Sequence, residues 1–184
     1  MSTIGTRPAA LLVLAGGAWL AGTGTAHAQL GKSPLPLRVK VGVLLPSDGD
    51  TKDFAGSTLY GAEADLSVPL PGAGQSTFTA GYYEGRRDGR TFRVIPLTIS
   101  QIFSAPNPAT GLTGNVYYGV GTGVYLLRKS GNGNSENKTA FGGFGVVGYQ
   151  LPSGAFFIEG KYHVVGSVAG LSPRGLSFTL GRRF

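Results

Sequence analysis

The segment Gly175-Leu176-Ser177-Phe178-Thr179-Leu180-Gly181-Arg182-Arg183-Phe184 decides the fold. Leu176, Phe178, Leu180 and Phe184 fall on one parity, and Ser177, Thr179, Gly181 and Arg183 on the other. Successive side chains of a strand point to opposite faces, so this pattern is a strand with one oily face and one small or polar face. Arg182 lies on the oily parity, near the strand end, where a long side chain can snorkel.

The same period recurs upstream and predicts eight strands. Leu37 to Leu45 has Leu37, Val39, Val41, Val43 and Leu45 on one face, opposite Arg38, Lys40 and Gly42. Thr58 to Val68 sets Tyr60, Ala62, Ala64, Leu66 and Val68 against Gly61, Glu63, Asp65 and Ser67. Ser76 to Gly85 carries Phe78, Ala80 and Tyr82 outward. Thr91 to Phe103 turns Ile95, Leu97 and Ile99 outward. Pro96 within it lacks an N–H for the ladder, so a bulge or local break is expected there. Asn115 to Leu127 alternates Val116, Tyr118, Val120, Val124 and Leu126 with Gly119, Gly121 and Gly123. Thr139 to Leu151 is ambiguous because both parities are apolar; Phe144 and Val146 are read as outward. Ala155 to Val164 sets Phe156, Ile158, Tyr162 and Val164 against Glu159, Lys161 and His163. The stretches 46–57, 86–90, 128–138 and 165–173 read as connections at one end of the strands, with the shorter ones at the other.

Composition agrees. Of the 32 glycines, 27 follow position 28. That density disfavours helix, since an interior Gly costs about 1 kcal/mol against Ala. These glycines alternate with Val, Tyr, Phe and Leu, which is not the composition of a disordered chain. There is no Cys, which excludes disulfide staples and thiol chemistry. The net charge of +7 forms no stripe of the kind that tracks nucleic acid.

The N-terminus reads as an export signal. Arg7 supplies the positive region, Ala9 to Leu20 an apolar stretch too short to span a bilayer comfortably, and Ala26-His27-Ala28 a small-x-small cleavage pattern. The expected organisation is a signal peptide over 1–28 and a single β-barrel domain over 29–184. Eight strands of the ~9–11 residues that a membrane crossing needs fit that length. An even strand count puts both barrel ends on one side, which export makes the periplasm.

A signal sequence, the Tyr117-Tyr118-Gly119-Val120-Gly121-Thr122-Gly123-Val124-Tyr125 strand, the alternation of 155–164 and the terminal Phe184 together resemble the small eight-stranded outer-membrane barrels of the outer-membrane protein A, W and X type. The resemblance implies an all-β, antiparallel, up-and-down transmembrane barrel. It implies that Leu176, Phe178, Leu180 and Phe184 are read by the barrel-insertion machinery. It also implies lipid and lipopolysaccharide as surroundings.

With this parity the barrel interior holds Arg38, Lys40, Glu63, Asp65, Glu159, Lys161, His163 and Arg183. Eight strands leave an interior barely wide enough for side chains, so opposite charges there pair into a plug-like network. A narrow conducting path is the alternative use of the same residues. Arg86, Arg87, Arg90, Arg128, Lys129 and Lys138 lie at the expected outer connections, where they could meet lipopolysaccharide phosphates or simply solvate the loops.

Three other motifs promise chemistry and do not carry it. Some barrels of this size deacylate lipid A with a His, a Ser two residues on, and an acid; here the residue two after His163 is Val165. Ser167 would lie ~13 Å from His163 along an extended strand, too far for a nucleophile and its base. Gly143-Phe144-Gly145-Val146-Val147-Gly148 spells a dinucleotide motif, but Pro152 follows too soon for its helix. Asp48, Asp50 and Asp53 cluster as in calcium loops, yet Lys52 stands at a ligand position and no Glu closes the loop.

The expected function is therefore non-enzymatic, with no cofactor and no metal. It is that of a monomeric outer-membrane barrel with an envelope-structural role or passage of small molecules. The alternatives are a soluble, lipocalin-like periplasmic barrel that binds a ligand within an oily lumen, and a lipid A hydrolase.

Overall fold

The computed structural model describes residues 37–68, 74–105, 114–131, 133–167 and 170–184. The expected signal peptide lies outside them. Eight strands follow one another around a closed barrel: β1 (Leu37–Pro46), β2 (Leu59–Val68), β3 (Gln75–Arg87), β4 (Arg90–Ser104), β5 (Asn115–Gly131), β6 (Asn134–Gln150), β7 (Phe156–Val165) and β8 (Gly175–Arg183). Every pairing is antiparallel, and β8 pairs with β1 to close the ring. This is the eight-stranded, up-and-down architecture that the alternation predicts. Closure leaves no sheet edge unpaired.

The faces sort by chemistry. Tyr60 and Phe141 are 70% and 79% exposed, and Val41, Val120, Val147, Ile158, Phe178 and Leu180 also point outward. Lys40, Glu63, Asp65, Glu159, Lys161 and His163 are buried inside. Among the described residues no helix is long and apolar enough to cross a membrane.

Inward glycines are sockets for aromatic rings. Tyr83 is paired with Gly61, Tyr117 with Gly148, Phe144 with Gly121 and Phe157 with Gly181. In each case a Cβ on the glycine would overlap the ring of its partner. The barrel thus fills its lumen with rings where the neighbouring strand supplies no side chain.

Three sequence expectations need correction. Phe144 and Val146 point inward, not outward; on β6 the exposed large apolar residues are Phe141 and Val147. The reason is register. Phe144 lies beside Gly121 and His163, and Val146 beside Gly119 and Lys161, all of the inner face. The stretch 128–138 is mostly strand rather than loop: β5 and β6 each run 17 residues and form a hairpin that extends beyond the other strands. The stretch 46–57 contains a short helix, α1 (Gly49–Ala55). Asp48 caps it, its Oδ2 accepting from Thr51 N at 2.9 Å.

The break expected at Pro96 is present without a bulge. The β3–β4 ladder lapses between Ala80↔Leu97 and Tyr83↔Val94 and resumes in the same register. The Pro96 ring occupies the space a side chain on Gly81 would need. At the β3–β4 turn, Asp88 and Gly89 both take positive φ, 50° and 72°, as a two-residue hairpin with matching twist requires.

Candidate functional site

The lumen has three layers. At the end bearing the start of β1 and the end of β8 (the terminal end), Ile102, Tyr117, Phe144, Val146 and Phe157 form an apolar layer. At the opposite end, hereafter the helix end, Leu44, Leu59, Tyr83, Phe92, Val94 and Leu127 surround Ala55 of α1. Between them lie the charges.

The charged layer is built by register. Arg38 faces Asp65 across β1 and β2, and Lys40 faces Glu63. Lys40 Nζ sits 2.8 Å from Glu63 Oε2, 2.8 Å from Glu159 Oε1 and 3.0 Å from Asp65 Oδ2. Lys161 Nζ lies 2.6 Å from the same Glu63 oxygen and 3.3 Å from Glu159. Arg38 meets Asp65 at 2.9 Å. Three cations therefore balance three carboxylates. Lys40 reaches Glu159 on β7 across β8, whose residue at that level is Gly181; a Cβ there would come 2.8 Å from Lys40 Cγ. A larger residue at 181 would block the bridge.

Hydroxyls complete the layer. Tyr83 donates to Glu63 at 2.9 Å, Tyr117 to Glu159 at 3.0 Å and Thr79 to Asp65 at 2.7 Å. His163 lies 3.1 Å from the Tyr125 hydroxyl through Nδ1 and 3.0 Å from Ser177 Oγ through Nε2. Among the described residues only Thr179 Oγ1 is a buried side-chain polar atom without a hydrogen-bond partner. A buried network this fully satisfied is a rigid core. Tyr83, Tyr117 and Thr79 escape a search for charges alone; their signal is inner parity beside a carboxylate strand.

Arg183 does not join the network. It is exposed at the terminal end and lines a small recess with Arg38, Gln75 and Tyr117. Ser167 is exposed, and the buried serine beside His163 is Ser177. Gly143 to Gly148 runs through the middle of β6 with strand on both sides. Asp48 is spent on the helix cap, and Asp53 lies 3.9 Å from Arg87.

The helix end is lidded. Thr51 Oγ1 donates to Ser172 O at 3.1 Å and accepts from Ser172 N at 2.9 Å, so α1 is tied to the segment before β8. Outside this lid lie the expected outer cations. Arg86, Arg87, Arg128 and Lys138 are exposed, and Arg90 and Lys129 are half-buried, both over the Phe54 ring. Arg86 pairs with Glu84 at 2.5 Å, and Lys138 with Glu136 at 2.8 Å. Arg93, which the sequence reading missed, has the outward parity of Ile95; it is bonded to Glu84 and stands directly opposite Arg128. Arg86, Arg93 and Arg128 thus form a row just beyond the apolar face.

No family model matches the chain, and no curated protein does. Among solved structures it is similar to the N-terminal β-barrel domain of Pseudomonas aeruginosa OprF, at 10% identity and a TM-score of 0.46, over 83% of this chain and 100% of that one. A likeness of this size bears on no residue of the site.

Proposed function

We propose that the chain is a monomeric, non-enzymatic outer-membrane barrel whose role is structural, with its terminal end toward the periplasm. One observation carries this reading: the oily residues face out all round the wall while a neutral, fully paired charge network occupies the middle of the lumen. A lipocalin-like barrel needs the reverse, an oily lumen and a charged exterior. Lipid is the medium in which an outward apolar wall costs nothing, and a closed barrel is the sheet that lipid accepts.

The structural role rests on the interior. Packed apolar layers on both sides of the charged one, and α1 over the helix end, leave a plug rather than a path. The row Arg86, Arg93 and Arg128 sits where lipopolysaccharide phosphates would meet the wall; Glu84 pairs with Arg86 and Arg93, which leaves Arg128 as the cation of the row open to a phosphate. Leu176, Phe178, Leu180 and Phe184 form the outward stripe offered to the insertion machinery.

Envelope fractionation with electrophoresis of unheated and boiled samples tests the placement. A heat-shifted band that sediments with outer membrane supports it, and an unshifted periplasmic protein overturns it. Planar-bilayer recording tests the plug: silence is expected, and discrete openings by pure protein would replace the structural role with conduction. Lipid A mass spectra unchanged by the protein would agree with the absence of catalysis.

A further inference from the structure

We infer that the outer wall carries a binding site for one anionic glycerophospholipid, with its phosphate on Arg182 and an acyl chain in the groove over Gly160. This rests on the membrane placement proposed above and adds a specific ligand to it.

The groove is built by a missing side chain. Gly160 occupies an outward position of β7, between Phe178 on β8 and Val147 on β6. A Cβ there would meet nothing closer than Phe178 Cε1 at 3.7 Å. The side chains of Val41, Val147, Ile158, Phe178 and Leu180 rise around it and border an open, shallow depression of about 720 Å³, almost wholly apolar. At the ~30 Å³ that a water takes in the liquid, that is room for about two dozen groups of methylene size.

A cation stands just beyond the groove. Arg182 is the next outward residue of β8 beyond Leu180, toward the terminal end, and pairs with Phe156. Its guanidinium lies 5.1 Å from the Phe184 ring centre and 5.8 Å from that of Phe156. Among the described residues no carboxylate lies within ion-pair distance of it, unlike every cation of the charged layer. One outward step along a strand is ~7 Å, so the cation sits about a glycerol unit from the first groove residues. An unpaired guanidinium at the membrane surface recognises phosphate in a fork geometry. The groove alone would not select a lipid, because bulk lipid offers a chain the same apolar contacts. The charge just beyond it makes the choice, and it favours an anionic headgroup.

The test is native mass spectrometry of the detergent-refolded protein with phosphatidylglycerol or phosphatidylcholine of identical chains. A one-to-one adduct favouring phosphatidylglycerol is expected. Arg182→Gln should reduce that preference about tenfold, the worth of one charged hydrogen-bonding contact. Gly160→Phe should weaken both adducts, and Ile99→Phe on the opposite wall should change neither. Equal adducts in the parent protein and Arg182→Gln would overturn the site, as would a dimer that Gly160→Phe abolishes, which would make the groove an interface between copies. Heat-modifiability of each variant keeps the two proposals apart: a shifted, lipid-indifferent protein refutes the site alone, and an unshifted parent refutes the membrane barrel.

Discussion

The middle of the lumen and its helix end solve one problem in opposite ways. With the large apolar residues of the wall turned outward, cohesion has to come from within the lumen. The middle uses ions: Lys40 alone satisfies carboxylates from β2 and β7. The helix end uses oil, with Leu59, Phe92, Val94 and Tyr83 packed under α1. Ionic layers demand every partner at once, because one removed member leaves a buried charge unpaired. Oily layers lose stability in proportion to what is cut away. The first layer therefore specifies register, and the second seals the mouth.

Substitutions can break that contrast. Lys40→Met should have the largest effect, about 3–5 kcal/mol, because Glu63, Asp65 and Glu159 lose a shared partner; urea titration of the heat-shifted band in vesicles would measure it. The double change Lys40→Met with Glu159→Gln should cost clearly less than the sum of its singles. Additive costs would mean that the ions do not act as a unit. Leu59→Ala should cost about 2–4 kcal/mol in the same titration, within the range for a fully buried leucine. A loss exceeding that of Lys40→Met would reverse the ranking of the two layers. Gly148→Ala should cost about 1–3 kcal/mol by driving a methyl into the Tyr117 ring, and pairing it with Tyr117→Leu should restore part of the loss. Thr51→Val should have the smallest global effect, about 1 kcal/mol, yet it should speed amide exchange in α1 and at Ser172 while the charged layer stays protected. Uniform acceleration through the barrel would show that lid and core are one cooperative unit.

Most of the wall was legible because β1, β2, β7 and β8 alternate strictly, and strict alternation has one solution for which side is oily. β6 defeated the same reasoning, since Phe144 and Val147 are equally good outward-facing apolar residues. What decides between them is the neighbouring strand: Phe144 needs the empty socket at Gly121, and a single strand read alone does not contain its partner. The extra length of the β5–β6 hairpin was illegible for a different cause. In the protruding part of the hairpin every residue from Asn134 to Thr139 is exposed, so these residues carry no apolar period although they pair. The helix α1 is too short for periodicity and leaves only the cap at Asp48. In the site, the charges were visible as inner-parity residues, whereas the phenols that bond them shared that parity without announcing a partner, because a tyrosine carries no charge that calls for one.

The bridge from Lys40 to Glu159 also bears on how the ring comes to be a ring. Seven of the eight seams join strands adjacent in the chain, and those can form one after another with little delay. The eighth joins β1 to β8, and its ends must find each other across the whole domain before any contact rewards them. Lys40 passes over that last seam to grip the strand beyond it. The Lys40–Glu159 bridge then acts in time as a latch. It cannot engage until closure is achieved, and once engaged it opposes reopening, so its loss should speed unfolding far more than it slows assembly.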